Sequence, residues 1–206
     1  MFIRKKKYKL TDETITYKGR VLRRIEALKD LSDVKKGDKG GFIESENNLS
    51  HKDNCWIYNN AKVCGDAIVF GNARVCDDAI VFRNARIYDN AMISNNALVV
   101  ENAEVYGDSM VCDNAIVYGN TEIYGNAKVG GNAKVYGNVL VYDNAFICGN
   151  ATVFGNAMVY ERARVYENAR VYDNSKICGV AHIHGYSTIC GNAKVSNKTA
   201  YIVFKN

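Results

Sequence analysis

Histidines are the side chains of this sequence that are best suited to proton transfer near neutral pH. His182 and His184 lie on either side of Ile183, so an extended strand would point both imidazoles to one surface. A histidine placed there could act as a general base toward a hydroxyl or an amine. Two histidines without an evident carboxylate or third histidine make a weak zinc site, and we predict no metal. The third histidine, His51, lies in the N-terminal part of the chain.

The elements that position these residues follow from a six-residue repeat. From Ile57 to Ala200 the chain reads as 24 hexads without an insertion or a deletion, and each begins with Val or Ile. The fifth position is small, mostly Ala, so positions five and one alternate with outward residues and predict a short strand. In a helix, the Val/Ile column would rotate around the surface. The two residues between strands are usually Gly-Asn or Asp-Asn, which tolerate left-handed backbone angles and predict a repeated bend.

The pattern [Val/Ile]-x-[Gly/Asp]-[Asn/Asp]-Ala-x resembles the hexapeptide repeat of the LpxA-like acyltransferases. Residues 35–50, KKGDKGGFIESENNLS, with NCWIY at 54–58, are similar to the entry segment of the YdcK-like group of such proteins, which is often found in phage and prophage. The resemblance implies an all-β fold, a left-handed, three-sided parallel β-helix of about eight 18-residue coils. The hexad itself leaves the hand open, and a right-handed helix of the bactofilin type is the alternative.

We divide the chain into a capping segment (1–56), the β-helix (57–200) and a C-terminal edge strand (201–206). Residues 14–22 predict a hairpin around Lys18-Gly19. The alternative is a helix whose apolar face would hold Val21, Ile25, Leu28 and Leu31. The spacing of Ile43, Leu49 and Cys55 matches the small inward column and predicts a first, irregular coil. The segment Tyr201, Ile202, Val203 and Phe204 is apolar and β-prone, and we predict that this edge is used in self-association.

Outward residues form columns, because equivalent positions recur once per coil, about 4.8 Å apart. One surface is predicted to carry an aromatic ladder of Phe70, Tyr88, Tyr106, Tyr124, Tyr142 and Tyr160. A second surface begins with an apolar patch of Ile80, Leu98 and Ile116. The third is predicted to be flat and apolar, with Cys76, Met92, Met110, Cys112, Phe146 and Cys148. Stacked tyrosines are ordinary in sheets, whereas exposed contiguous apolar area usually marks an interface. We therefore predict a homo-oligomer, a dimer or a trimer, or a protein partner.

Charge and cysteine content narrow the function further. The net charge is +5, and residues 1–56 account for all of it, so the repeat is neutral and offers no continuous track for phosphates. We predict no nucleic-acid partner. No long apolar run is present, so we expect no membrane insertion. Cys76, Cys112 and Cys148 share a surface but lie two coils apart from one to the next, too far for a disulfide. No two cysteines are stacked neighbours, which favours free thiols and the cytoplasm.

Two functions compete at this point. We predict a non-enzymatic β-helix scaffold for self-assembly or protein binding. The resemblance to phage proteins implies that its partner would be a host factor. The resemblance also implies the alternative, a trimeric acyltransferase that uses acetyl-CoA and a histidine base. Its candidate residues are His184 or His182, with Tyr166 and Arg164 one coil below. The acyltransferases that the repeat resembles often have a loop inserted beside the active site. No loop interrupts the hexads between 57 and 200, which disfavours this alternative. The scaffold hypothesis implies no cofactor.

Overall fold

A two-residue turn with positive backbone φ angles connects the first two strands. In the computed structural model, which describes residues 6–197 and 199–200, Lys18 has a φ of 47° and Gly19 a φ of 75°. Two positive φ angles match the right-handed twist of the flanking strands. β1 (Tyr8–Tyr17) therefore pairs antiparallel with β2 (Arg20–Ala27), and β2 pairs antiparallel with β3 (Lys39–Ile43). This arrangement is the predicted hairpin. The 3₁₀-helix Glu46–Asn48 follows.

The hexads form short strands, one in each hexad. In chain order they are β4 (Trp56–Ile57), β5 (Lys62–Gly65), β6 (Ile68–Val69), β7 (Arg74–Val75), β8 (Ile80–Arg83), β9 (Arg86–Ile87), β10 (Met92–Ile93), β11 (Leu98–Glu101), β12 (Glu104–Val105), β13 (Met110–Val111), β14 (Ile116–Gly119), β15 (Glu122–Ile123), β16 (Lys128–Val129), β17 (Lys134–Gly137), β18 (Leu140–Val141), β19 (Phe146–Ile147), β20 (Thr152–Val153), β21 (Met158–Val159), β22 (Arg164–Val165), β23 (Arg170–Val171), β24 (Lys176–Cys178), β25 (His182–Ile183), β26 (Thr188–Ile189), β27 (Lys194–Ser196) and β28 (Thr199–Ala200).

From β4 to β27 every third strand belongs to the same sheet, and neighbours in a sheet are parallel with an 18-residue offset, as between Val99 and Val117. The last pair departs from this register, since Ile183 of β25 pairs with Ala200 of β28 at an offset of 17. The three sheets give a solenoid of about nine coils, which confirms the all-β, three-sided fold. We name the surfaces by their residues. The Met/Cys face runs from β4 to β28, the tyrosine face from β6 to β27, and the hairpin face continues from β1–β3 through β5 to β26. In the described residues no helix is long and apolar enough to cross a membrane.

The core is the column of Val/Ile and Ala side chains that the hexad places inside, and these side chains are fully buried along almost the whole solenoid. A few hydroxyl residues replace Ala in the small column. Ser109 donates a 2.7 Å hydrogen bond to the Tyr106 carbonyl, and Thr121 a 2.8 Å bond to the Tyr118 carbonyl. These replacements fit because each buried hydroxyl has a backbone acceptor three residues earlier.

Each corner contains a residue with positive φ at the third hexad position, and glycine is only one solution. Asp89 has a φ of 55° and Glu101 a φ of 65°. Their carboxylates accept bonds from the amides of the equivalent corner residues one coil later, at 3.2 Å for Gly107 and 3.0 Å for Gly119. An acidic residue in this conformation therefore supplies an acceptor for a corner amide that has no partner in the hydrogen bonds between strands.

The first coil is present, but its register differs from the prediction. Ile43 pairs with Val63 and Leu49 with Val69, an offset of 20 residues rather than 18. Ile43 and Leu49 thus occupy the aliphatic column and not the small one, because their branched side chains match Val in size. Cys55 does lie in the small column, where its amide donates to the Gly71 carbonyl. Two extra residues therefore lie between Leu49 and β4.

The hairpin and this first coil cover the N-terminal end of the core. Tyr8, Ile25 and Trp56 are buried and join the same apolar cluster as the repeat. Tyr8 donates a 2.8 Å hydrogen bond to the Leu49 carbonyl, which ties the hairpin to the first coil. The opposite edge, predicted from Tyr201 to Phe204, lies outside the described residues.

Candidate functional site

The Met/Cys face carries two outward rows, one on each side of the buried aliphatic column. The row before the column contains large side chains, namely Arg74, Met92, Met110, Lys128, Phe146, Arg164 and His182. The row after it is mostly small and contains Tyr58, Cys76, Ser94, Cys112, Gly130, Cys148, Tyr166 and His184. The difference in size makes this surface uneven, whereas the sequence predicted a flat one. Lys128 and Arg164 also interrupt the predicted apolar run.

Two hollows lie along the row of large side chains. The first is a cavity of about 750 Å³ lined by Asp108, Met110, Asn126, Lys128, Asn144, Ala145, Phe146 and Arg164. The second is a cavity of about 310 Å³ lined by Phe146, Cys148, Arg164, Tyr166 and His182. Phe146 and Arg164 separate the two. The predicted interface residues of this face are all half-buried, so they are accessible to another surface.

The thiols of this face are uncharged at neutral pH. Burial raises the pKa of Cys76 and of Cys112 to about 11, with Asp77 and Asp113 adding a smaller repulsive contribution. Burial also raises the pKa of Cys148. Thiolates are the reactive form of cysteine, so these three side chains behave as small apolar groups.

The tyrosine face contains the predicted ladder as a continuous stack. Successive rings from Phe70 to Tyr160 have centroids 4.8–5.1 Å apart and are tilted by no more than 8°. Tyr88 donates a 2.9 Å bond to Glu104, and Tyr106 a 3.1 Å bond to Glu122. Burial raises the pKa of both phenols, and the carboxylates add to that rise. Because the ring faces cover one another, the ladder presents only ring edges and hydroxyl groups to solvent. The stacked rings thus stabilise the solenoid and leave little apolar surface for a partner.

The hairpin face has a shorter ladder and the predicted aliphatic patch. Tyr118, Tyr136, Phe154 and Tyr172 stack with centroids 4.7–5.2 Å apart. Ile80, Leu98 and Ile116 are directly paired neighbours and are half-buried. At the N-terminal end Leu22, Phe42 and Cys64 form a second apolar cluster beneath the hairpin. The hairpin therefore already occupies one end of this face.

The structure brings the predicted acyl-transfer residues together near the C-terminal end of the Met/Cys face. His182 is paired with Arg164 on the neighbouring strand. The rings of His184 and Tyr166 stack with centroids 5.2 Å apart, and His182 meets Tyr166 edge-on at 6.1 Å. His184 Nδ1 lies 3.9 Å from a Glu167 carboxylate oxygen. A carboxylate beside an imidazole can orient it, so the cluster has the parts of a general base. No group of three His, Cys, Asp or Glu with metal-site spacing occurs in the part of the chain described.

A third cavity, which the sequence did not predict, lies at the irregular first coil. A cavity of about 700 Å³ is lined by Lys6, Glu46, Leu49, Ser50, His51, Lys52, Asp53 and Phe70. The two extra residues between Leu49 and β4 create it by breaking the hexad spacing. The break in the hexad spacing was the sequence signal that could have indicated this cavity, because the later corners keep the spacing of six residues.

His51 is held firmly in this corner. Its ring stacks on Tyr8 with centroids 4.2 Å apart, and Nδ1 accepts a 3.3 Å bond from the Lys7 amide. Because Nδ1 accepts, the neutral ring carries its proton on Nε2. Nε2 is buried 3.6 Å from Glu46 and has no hydrogen-bond partner among the described residues. Burial lowers the pKa of His51, and a 2.6 Å bond from Lys6 lowers the pKa of Glu46.

Comparison with known proteins finds similarity in the repeat. Residues 85–101 and 145–161 match the model of a family described as YdcK Beta solenoid repeat. A segment of 73 residues, 31% of this chain, is 37% identical to the Escherichia coli (strain K12) protein named "Uncharacterized acetyltransferase YdcK". The match covers 22% of that protein, so the chain spans only about a fifth of the relative's length. The chain thus shares β-solenoid repeats with the YdcK-like proteins, while the phage association implied by the resemblance stays a prediction.

Proposed function

We propose that this chain is a rigid structural rod that associates with a second copy of itself through the Met/Cys face. The observation that carries the proposal is the relief of this face. Large side chains such as Met110 and Phe146 stand beside a row of small ones, Cys112, Gly130 and Cys148. Ridges and hollows of this kind allow two solenoids to interdigitate as side chains do in a protein core.

The size of the face also favours a second copy as its occupant. Nine coils at about 4.8 Å each make the face about 40 Å long. Five or six residues across give a width of about 15–20 Å, hence an area of about 600–800 Å². A stable interface buries about 800 Å² per partner, so one whole face is of the required size.

The other two faces are less suited to this role. The hairpin extends the sheet of the hairpin face, and Leu22 and Phe42 already cover its N-terminal end. On the tyrosine face the rings pack on each other and Tyr88 and Tyr106 bond to glutamates. The cysteines of the described residues form no disulfide, which favours a reducing compartment such as the cytoplasm.

The test is the mass in solution, measured by light scattering over a dilution series under reducing conditions. Met110→Glu places a charge in the centre of the proposed interface and is expected to give monomers, whereas the wild type gives dimers or trimers. Leu140→Glu is the matched control, because Leu140 has the same hexad position and is also half-buried but lies on the tyrosine face. A Met110→Glu protein with the mass of the associated wild type contradicts the proposal, and so does a wild type that is monomeric throughout the dilution series.

A second candidate function is acyl transfer from acetyl-CoA at the His184 cluster. The stacking of Tyr166 on His184, the nearby Glu167 and the adjoining 310 Å³ cavity favour it. The name of the partial relative supports it loosely. Acetyl-CoA should then raise the melting temperature of the wild type, because a ligand that binds only the folded state stabilises it. His184→Asn should keep the rise but lose acetyl transfer to an amine or hydroxyl acceptor, and His51→Asn should keep both. A wild-type melting temperature that acetyl-CoA does not change contradicts this function.

A further inference from the structure

Lys7 is a fully buried lysine whose ammonium group lies against a cysteine. The residue has no exposed surface, and its Nζ lies 3.0 Å from the Sγ of Cys55, which is also fully buried. Nζ donates to the Cys55 carbonyl at 2.7 Å and to the Lys52 carbonyl at 3.2 Å. Two carbonyls and one sulfur thus surround Nζ and hold it in contact with Sγ.

Cys55 is held equally firmly. Its Sγ lies 3.6 Å from the carbonyls of Ser50 and Val69 and 3.8 Å from that of Lys52. The sulfur therefore lies directly under the irregular corner, whose residues Ser50, Lys52 and Asp53 line the 700 Å³ cavity. A peroxide that enters this cavity meets Ser50 and Lys52, whose carbonyls contact Sγ on the inner side of the corner.

We propose that Lys7 and Cys55 form a covalent cross-link between Nζ and Sγ when a peroxide oxidises the thiol. In the first step the sulfur attacks the peroxide, the O–O bond breaks, and Cys55 becomes a sulfenic acid with release of water. In the second step the lone pair of the Lys7 amine attacks Sγ. An S–N bond forms, the S–O bond breaks, and the hydroxyl leaves as water with one proton from the amine. The sulfur is oxidised by two electrons and the peroxide is reduced.

The geometry already satisfies the second step. Reacting atoms that are held 3–3.5 Å apart behave as a preassembled pair, and the 3.0 Å between Nζ and Sγ lies at the short end of that range. Burial lowers the pKa of Lys7, which increases the fraction of neutral amine. Burial also raises the pKa of Cys55, with Lys7 opposing that rise, so we expect slower oxidation than for an exposed thiolate.

The cross-link would lock the N-terminal segment onto the first coil. Lys7 immediately precedes β1, and Cys55 immediately precedes β4, so the bond closes a loop that contains the whole hairpin. Closing such a loop removes freedom from the unfolded chain. The oxidised protein is therefore expected to melt at a higher temperature than the reduced one, and dithiothreitol should reverse the change.

The experiment treats the full-length protein with hydrogen peroxide, stops the reaction with catalase, alkylates free thiols under denaturing conditions and maps peptides by mass. The expected product joins the Lys7 and Cys55 peptides with two hydrogen atoms fewer than their sum, and dithiothreitol separates them. Cys64 is an internal control, because it is equally buried but packs against Leu22 and Phe42, and it should remain alkylatable.

Two further samples distinguish the proposed geometry from general oxidation. Lys7→Arg keeps the positive charge but lacks a nucleophilic amine, so Cys55 should stop at a sulfenic acid that dimedone traps. If this variant does not fold, wild-type protein oxidised in concentrated urea replaces it, and we expect at least about tenfold less cross-link there because the atoms are no longer held together. Cys55 that is alkylated as fully as Cys64, or oxidised without a link to Lys7, overturns the proposal.

Discussion

Asn120 donates a 3.0 Å hydrogen bond from Nδ2 to the Oδ1 of Asn138, which lies directly above it in the next coil. The same bond repeats along this corner from Asn84 to Asn192, and each amide accepts from one neighbour and donates to the next. An amide can sustain such a chain because it carries both a donor and an acceptor. The corner therefore specifies an 18-residue register by side-chain bonds, independently of the core.

Replacing Asn138 with Asp tests this corner ladder. Aspartate can still accept from Asn120, but it cannot donate to Asn156, whose oxygen lies 2.9 Å from Nδ2 of Asn138. We expect a loss of about 1 kcal/mol in the free energy of unfolding, measured in urea, plus repulsion between the two oxygens. Asn144→Asp is the control, because the side-chain amide of Asn144 makes no hydrogen bond within the described residues, and its backbone amide donates to the Glu161 carbonyl as corner amides do elsewhere. Equal losses in the two variants would show that the ladder bonds do not matter.

Gly137 tests the backbone conformation of the corner. Its φ is +95°, and a Cβ added there would lie 2.7 Å from the Gly155 carbonyl oxygen. Left-handed backbone costs about 1–2 kcal/mol with a side chain, so Gly137→Ala should lower the free energy of unfolding in urea by at least that amount. Gly130→Ala is the control. Its φ is not in the left-handed region, and its new Cβ would meet side-chain atoms of Asp113 and Cys112, at 3.0 and 3.1 Å, rather than a backbone oxygen. A smaller loss for Gly137→Ala than for Gly130→Ala contradicts this reasoning.

The repeat predicted most of the fold, because similar local signals recur along it. Val or Ile marks the inside of all 24 hexads, together with a residue that is mostly Ala, and Gly-Asn or Asp-Asn specifies the bend in 12 of them. The tyrosine ladder followed directly from the 18-residue coil. In the repeat, the backbone preference of each residue agrees with its position in the packed solenoid, and under that condition a structure can be predicted from its sequence.

The first coil and the surface relief did not follow in the same way. The branched side chains of Ile43 and Leu49 fit either inward column by spacing, and only packing against Val63 and Val69 decides between them. Lys7 stands among basic residues in the sequence, RKKK at 4–7, yet it is buried because three acceptors converge on its ammonium group. Such convergence depends on residues more than forty positions away, so a local pattern does not contain it.

His51 predicts a pH dependence of stability. Burial lowers its pKa below the ordinary value of 6.5, so the unfolded chain binds the proton more readily than the folded one. This contribution to stability is present above pH 6.5 and is lost as the pH falls below it. We expect the melting temperature to drop between about pH 7.5 and 5.5, and His51→Asn, which keeps an acceptor for the Lys7 amide, to drop less.

The range of pH in that experiment isolates the histidine. The pKa of Glu46 is also lowered, by its bond to Lys6, but its contribution is lost only below the ordinary value of 4.5. Measurements that stay above pH 5 therefore report mainly on His51. If the wild type and His51→Asn lose the same number of degrees, His51 is not the group responsible.

Cys112 offers a chemical measurement of the proposed interface. Its pKa is raised to about 11, so at pH 8 almost all of it is an unreactive thiol. Alkylation by iodoacetamide should therefore be slow at pH 8. Its rate should rise about tenfold for each unit by which the pH is raised toward the pKa, since only the thiolate reacts. Peptide mapping after timed quenching gives the rate at this position alone.

Association adds a second effect that can be separated from the first. In the Met110→Glu monomer Cys112 keeps its contact with Asp113 but loses the cover of a second copy. The new carboxylate two residues away disfavours the thiolate, so it works against the expected acceleration and cannot imitate it. We expect the monomer to be alkylated at the rate set by pH, and the wild type to be slower and to approach that rate on dilution. Residue burial at an interface blocks reagent access without requiring a further change in pKa. Equal rates in the wild type and the Met110→Glu variant at high protein concentration would show that the Met/Cys face is open in the assembly.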